Sequence, residues 1–277
     1  MDSPPLGAWP SIPLLEHDPD PDAVINPRAL TGPPKLPGAC VLCFFREALE
    51  AREAEGRLAR VHTFHMESCA LPVYETVAGG QSIAVAQACV GGPGIAAQLE
   101  ELIALGCDRF VACGGAGVLR KDISVGRLIV PDAAVRDEGT SYHYLPPSRE
   151  VACPDGMPEF LARALSARGI AHLMAKTWTT DGVYRETRGR VARRRAEGCV
   201  TVEMEAAALF AVARFRGVRL GMILYGGDDV SGADWDQRGW HSRTDIRANL
   251  LDLCLEVAAE LGGGTASPSS VPDGTQP

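Results

Sequence analysis

Residues 201–210 read TVEMEAAALF. Two carboxylates, Glu203 and Glu205, flank Met204 at the head of an alanine-rich run that continues to Gly217. The spacing predicts a helix over EMEAAALFAVARFRG, closed by its terminal glycine. Acids in a first turn are favoured by the helix dipole, so one reading of Glu203 and Glu205 is capping. The body AAALFAVA, however, is apolar on nearly all sides, which places the helix and its two acids in the interior. Buried carboxylates need partners. A ligand with two neighbouring hydroxyls supplies them, because one ionised carboxylate accepts from both.

Working outward, apolar strand-like runs alternate with helical patterns. ACVLCFF leads into REALEAREAEG, and VHTFHMES, VYETVAG and SIAVAQACV come closely enough together to read as a meander. GIAAQLEELIALG reads as a helix after Gly92-Pro93-Gly94, and PEFLARALSARG as another. RFVACGG, GRLIVPDAAV, IAHLMAKTWTT and VRLGMILYGG read as strands, and residues 241–261 as the last helix. This alternation predicts one α/β domain with a central mixed sheet over residues 38–261. Residues 1–37 are rich in proline and read as an extended arm over a surface or a neighbouring subunit. Residues 262–277, GGGTASPSSVPDGTQP with its leading glycine run, have disorder composition.

Composition removes several function classes. The net charge is -8, which argues against nucleic-acid binding by a basic surface. The basic residues are 24 arginines and 3 lysines, a bias of the whole chain. Nine scattered cysteines, with no secretory signal or dense cysteine framework, point to a reducing cytoplasm. Cys40-x-x-Cys43 has no second ligand pair and lies in an apolar run, so it reads as buried strand and no metal site is expected. No run of about 18 apolar residues occurs, so no membrane span is expected.

Chemistry-bearing residues gather where strands end, as ligand crevices of open α/β sheets do. Gly114 and Gly115 in ACGGAG allow close backbone approach to an anion, or simply a tight strand-to-loop turn. His143 lies in the polar loop RDEGTSYHYLPP, as a proton carrier, a hydroxyl ligand or part of an aromatic-packed loop. Thr180 and Asp181 open TTDGVYRET, where Asp181 also suits a turn cap. Asp228 and Asp229 come after the strand VRLGMILYGG. A metal pair there lacks further ligands. An acid held beside a leaving group as proton donor is the sharper reading.

In order and spacing, VEMEAAALFAVA, ACGGAG, DEGTSYHY, TTDGVYRET and GGDD resemble the nucleoside phosphorylase and nucleosidase superfamily, of the uridine and hexameric purine phosphorylase type. The likeness covers residues 38–260. It implies a three-layer αβα fold whose central mixed sheet curls partly into a barrel. It also implies homo-oligomers, dimers or trimers of dimers, with sites near subunit interfaces. By the same resemblance Glu205 matches the glutamate that holds the ribose 2′- and 3′-hydroxyls, and Met204 the methionine packed on the sugar. Glu203 and Val202 match residues lining sugar and base. Thr180 and Val183, with Tyr184 adjacent, fall where the family lines its base pocket. Asp228 matches the aspartate that protonates N7 of a purine leaving group, and Gly114 and Gly115 the turn on the phosphate or sugar side.

The chain departs from the phosphorylase pattern on the anion side. The family's G-D-P-x-R is replaced by CFFREA, which leaves Arg46 as the candidate phosphate ligand. The arginine on the strand before the glycine turn is replaced by Val111. The resemblance leads us to expect N-ribosidic cleavage of a nucleoside by a pentosyltransferase (a nucleoside phosphorylase-like glycosyltransferase). Phosphorolysis to free base and ribose 1-phosphate comes first and hydrolysis by a nucleosidase second. A non-catalytic nucleoside-binding protein is a rival from another class. Phosphate is expected as co-substrate, with no other cofactor.

Overall fold

Five consecutive residues, Ala39–Cys43, are all buried, which is how a strand covered on both faces reads. This strand, β1, sits inside a ten-stranded mixed sheet. A computed structural model of the protein describes residues 10 and 12–262. Within them the strands are β2 (Ala59–His65), β3 (Ala70–Ala78), β4 (Gln81–Gln87), β5 (Arg109–Val118), β6 (Leu128–Asp137), β7 (Glu150–Ala152), β8 (His172–Thr180), β9 (Cys199–Glu203) and β10 (Arg219–Asp229). The helices are α1 (Pro27–Thr31), α2 (Arg46–Ala54), α3 (Gly92–Ala104), α4 (Met157–Ala167), α5 (Arg188–Ala196), α6 (Ala206–Arg216) and α7 (Thr244–Gly262).

The sheet order is β10-β6-β8-β9-β5-β1-β4-β3-β2, and β10 also pairs with β5. That extra pairing closes β10, β6, β8, β9 and β5 into a five-stranded barrel, from which β1, β4, β3 and β2 extend as an open wing. The predicted meander is β2-β3-β4, antiparallel throughout. Helices α2 and α7 pack together over β1, β4 and β5, while α3 and α6 pack together against the barrel side. The expected three-layer αβα architecture with a partly barrel-like mixed sheet is therefore the one observed.

Three expectations need correction. First, the helix predicted from Glu203 begins only at Ala206. Glu203 ends strand β9, and Glu205 is the residue that precedes the helix. Backbone pairing of β9 to β8 outweighs the helical propensity of EMEA, since Thr179 is registered against Glu203. Second, Gly114 and Gly115 form no turn. They lie within β5, which runs on to Val118 in parallel register with β10. Third, the arm is not wholly extended. Asn26 caps α1 by accepting from Arg28 N at 2.9 Å, Pro27 opens the helix and Gly32 closes it at φ 73°. The predicted tail from residue 263 onward lies outside the described residues.

Helix α6 explains why the sequence looked buried on all sides. Every residue from Ala206 to Ala213 is buried. Small alanines let it lie close to the sheet and to α3, and Gly217 ends it in the left-handed conformation at φ 67°.

Candidate active site

The strand-end site expected from the sequence lies where β5 changes partners. Along one edge β5 pairs with β10 through Val118, but along the other it pairs with β1 only from Arg109 to Cys113. It then pairs with β9 at Gly117 and Val118. Residues 114–116 lie in the gap between those two partners. A gap of this kind leaves backbone groups facing the crevice, as at the switch points of other α/β sheets. The glycines there also meet steric limits. A Cβ on Gly115 would lie 3.0 Å from the Tyr225 ring, and one on Gly114 would lie 3.2 Å from the Phe44 ring.

Glu203, Met204 and Glu205 lie at the end of β9 on one side of this gap. The two acids are both buried but are held differently. Glu203 accepts from Thr179 Oγ1 at 2.6 Å, from Glu205 N at 2.7 Å and from Ala206 N at 2.6 Å. It therefore caps α6 from the end of the strand with these three short hydrogen bonds. Glu205 accepts from Gly91 N at 2.7 Å and from Met204 N at 3.3 Å. Burial, and then the charge of Glu203, push the Glu205 carboxyl up to about 8, partly offset by the Gly91 and Met204 N–H bonds. Burial also raises Glu203, but its hydroxyl and backbone donors at a helix N-terminus favour the charged form. Of the pair, Glu205 is the acid with capacity left for a ligand.

Opposite lies a second acid. Asp228 and Asp229 end β10 and divide their roles. Asp229 is buried, accepts from Ser231 N at 2.8 Å and is ion-paired with Arg238. Asp228 is half-buried and accepts from Trp235 Nε1 at 2.7 Å. Val202 and Asp228 converge on Gly117, where a Cβ would lie 3.1 Å from Val202 Cγ1 and 3.5 Å from Asp228 Oδ1.

The loop after β8 supplies a further wall. Thr180 is buried and its hydroxyl accepts from Gly182 N at 3.2 Å. Asp181 accepts from Gly139 N at 2.9 Å and so ties this loop to the one after β6. Val183 is half-exposed and Tyr184 almost fully exposed, on a 3-10 turn. Nearby Glu186 is raised to about 7, by burial first and by Asp228's charge second.

Two predicted residues lie elsewhere. His143 lines a cavity of about 360 Å³ between the arm and α3, in company with Tyr144 and Phe215. The arm is anchored beside it, where Arg216 Nη1 donates to Pro21 O at 2.7 Å. Arg46 opens α2 at the end of β1, but its side chain is 71% exposed and pairs with Glu50 at 3.4 Å. Val111 is fully buried in β5.

Several residues of the crevice carry little signal in the sequence. Gly91 is legible there only as a breaker before α3, yet it donates to Glu205. Thr179 looks like ordinary strand. Glu138 is hidden in the loop RDEGTSYHY. It is buried, accepts from Ser141 N at 2.9 Å, and its charge acts on Glu203. Phe44, Glu186 and Trp235 carry no pattern of their own in the sequence, and Trp235 reaches back to Asp228 only through the fold of the loop after β10.

A family model described as the phosphorylase superfamily matches residues 39–255. The chain is 32% identical over 181 residues to uridine phosphorylase of Thermococcus kodakarensis, covering 60% of this chain and 63% of that protein. It thus spans less than two thirds of that relative's length. It is 32% identical over 179 residues to guanosine phosphorylase of Halorubrum lacusprofundi, covering 62% of this chain and 71% of that protein. The fold matches that of purine nucleoside phosphorylase from Toxoplasma gondii, solved in complex with immucillin-H. The TM-score is 0.69 at 20% identity, covering 82% of this chain and 92% of the other.

Proposed function

The chain belongs to the phosphorylase superfamily, and from that premise we propose that it cleaves the N-ribosidic bond of a nucleoside by phosphorolysis. One observation carries the reading. Glu205 is a buried carboxylate with unused acceptor capacity, fixed by Gly91 N and backed by Glu203, beside the open segment of β5. Breaking the C1′–N bond builds positive charge on the ribose ring. A fixed carboxylate that takes the 2′- and 3′-hydroxyls orients the sugar and stabilises that charge without reorganising. In this reading Asp228, which accepts from Trp235 Nε1, passes a proton or hydrogen bond to the departing base. The products are then free base and ribose 1-phosphate, with inorganic phosphate as co-substrate and no organic cofactor. The names of the uridine and guanosine phosphorylase relatives support this choice.

A second reading, hydrolysis, is favoured by the anion side. The Phe44 ring, Leu224 and Met222 are what a side chain at Gly114 would meet, and all are apolar. Arg46 projects into solvent. Water needs no cation there, and phosphate does.

For the whole protein we place the molecule in the cytoplasm as a homo-oligomer. All nine cysteines are free thiols, and no helix among the described residues is long and apolar enough to cross a membrane. Val24, Ile25 and Leu30 expose apolar side chains on the arm, which suits a neighbouring subunit.

The test is a panel of purine and pyrimidine nucleosides, incubated with and without phosphate, with the sugar product identified by mass. Ribose 1-phosphate formed only with phosphate is the expected result. Free ribose at equal rates in both conditions selects hydrolysis. No cleavage of any nucleoside overturns both.

A further inference from the structure

Charges of both signs are left unspent at two places on the chain. The first is a cleft of about 760 Å³ between the loop after β5 and the last turn of α5. Arg120 and Lys121 line it from the loop and Arg195 from the helix, and Ala192, Ala196 and Val200 line it as well. Arg120 is paired with its neighbour Asp122, Nε to Oδ1 at 3.0 Å. Lys121 and Arg195 are exposed, as is Arg193 on the same turn of α5. Among the described residues none of these three side chains has a hydrogen-bonding or ionic partner. The other arginines of α5 are spent within the fold, Arg188 on Ala233 O and Arg190 and Arg194 on Asp137. The second place is the arm, where Asp18, Asp20 and Asp22 are exposed at alternate positions. Asp18 and Asp20 each accept from the backbone N–H two residues on, at 3.0 Å, and among the described residues none of the three is ion-paired. Val24, two residues further, is fully exposed. The arm is pinned to α6 and α3, by Arg216 Nη1 on Pro21 O at 2.7 Å and by the packing of α1 on α3, whereas α5 packs on β9.

We propose that the cleft beside α5 receives the arm of a second copy of the chain, with Asp18, Asp20 and Asp22 set against Lys121, Arg193 and Arg195, and Val24 against the small side chains between them. This rests on the reading of the molecule as a homo-oligomer, and it names a surface that joins the copies. With Pro21 held on Arg216 and α5 seated on β9, the two charge sets are fixed on different elements of one molecule, and a neighbour satisfies their complementarity. In a two-fold dimer each arm enters the partner's cleft, so every contact is made twice. Complementary charge of this kind sets partner choice and register, while Val24 supplies apolar area. Exposed ion pairs are screened by salt, so the association weakens as ionic strength rises.

The experiment measures self-association of the full chain by sedimentation at about 0.05 M and about 0.5 M salt. One variant reverses the cleft, Lys121→Glu with Arg195→Glu, and a second reverses the arm, Asp20→Arg with Asp22→Arg. These positions are exposed and not ion-paired, so both variants should fold as the wild type does. The wild type is expected to associate, more weakly at high salt. Each variant alone should associate about tenfold or more weakly, because like charges then face each other. An equal mixture of the two variants restores opposite charges at both contacts and should recover the wild-type association to within about threefold. Association that neither reversal weakens, or a loss that mixing does not rescue, overturns the docking while the homo-oligomer stands. A wild type that sediments as a monomer at both salt concentrations overturns both.

Discussion

Replacing Glu205 by glutamine should separate stability from activity in a pH-dependent way. The Glu205 carboxyl lies at about 8 in the fold against an ordinary value of 4.5. The folded state thus holds the proton more tightly than the unfolded chain. The stability this gives is full below pH 4.5 and is lost as pH rises towards 8. Carrying a carboxyl across that interval costs the ionised folded state about 4–5 kcal/mol as an upper bound. Glutamine is neutral at every pH and keeps an oxygen for the Gly91 N–H. Glu205→Gln should therefore match the wild type within about 1 kcal/mol at pH 5 and exceed it by about 2–4 kcal/mol at pH 9. Urea unfolding at pH 5, 7 and 9 measures this directly. Turnover should fall by on the order of 10²–10³, because the amide cannot accept both sugar hydroxyls or stabilise the ring charge. The same linkage predicts that nucleoside binding at pH 7 releases a proton, visible as a buffer-dependent binding enthalpy. Parallel stability curves for the two proteins across this pH range would refute the reasoning, since they would show that Glu205 is not a strained acid.

Other perturbations probe the parts around it. Thr179→Val removes the hydroxyl that donates to Glu203 and accepts from Ala207 N. It should cost about 1–3 kcal/mol in unfolding free energy and lower kcat by loosening the turn that carries Glu205, and an unchanged melting curve would count against it. Gly115→Ala puts a Cβ 3.0 Å from the Tyr225 ring, so calorimetry should show a loss of about 1–3 kcal/mol. Normal stability with lost phosphate dependence would instead make Gly115 an anion contact. Arg46→Ala breaks only an exposed pair and should change stability by no more than about 0.5 kcal/mol. If phosphate binds there, half-saturating phosphate should rise by roughly tenfold at unchanged nucleoside KM, and an unaltered phosphate curve removes Arg46 from the site.

Much of the architecture could be read in one dimension because its signals are local. The all-apolar run ACVLCFF marks a strand covered on both faces. Gly92-Pro93-Gly94 and Gly106 bracket α3, and Gly217 ends α6. The meander of β2, β3 and β4 comes from short turns between alternating runs. Where expectation failed, a long-range partner had overridden local preference. EMEA carries helix formers, but Glu203 is drawn into β9 by pairing with β8, 24 residues upstream across the β8–β9 register. ACGGAG looks like a turn, yet β10 holds it extended, and its glycines answer to the Tyr225 and Phe44 rings.

The site divides in the same way. Sequence alone determined that Glu205 is an acid buried at the head of an apolar helix and that Asp228 ends a strand. Both come from residue type and periodicity, which short-range sterics and hydration impose. Only the tertiary structure decided which acid of each pair is left open. Thr179 and the α6 N-terminus occupy Glu203, Arg238 and Ser231 occupy Asp229, and Gly91 leaves Glu205 with acceptor capacity to spare. Those partners come from β8, α3's approach and the loop after β10, brought together by the closure of β5 onto β10. A hydrogen bond depends on position in space to within a few tenths of an ångström, and no spacing along the chain encodes that.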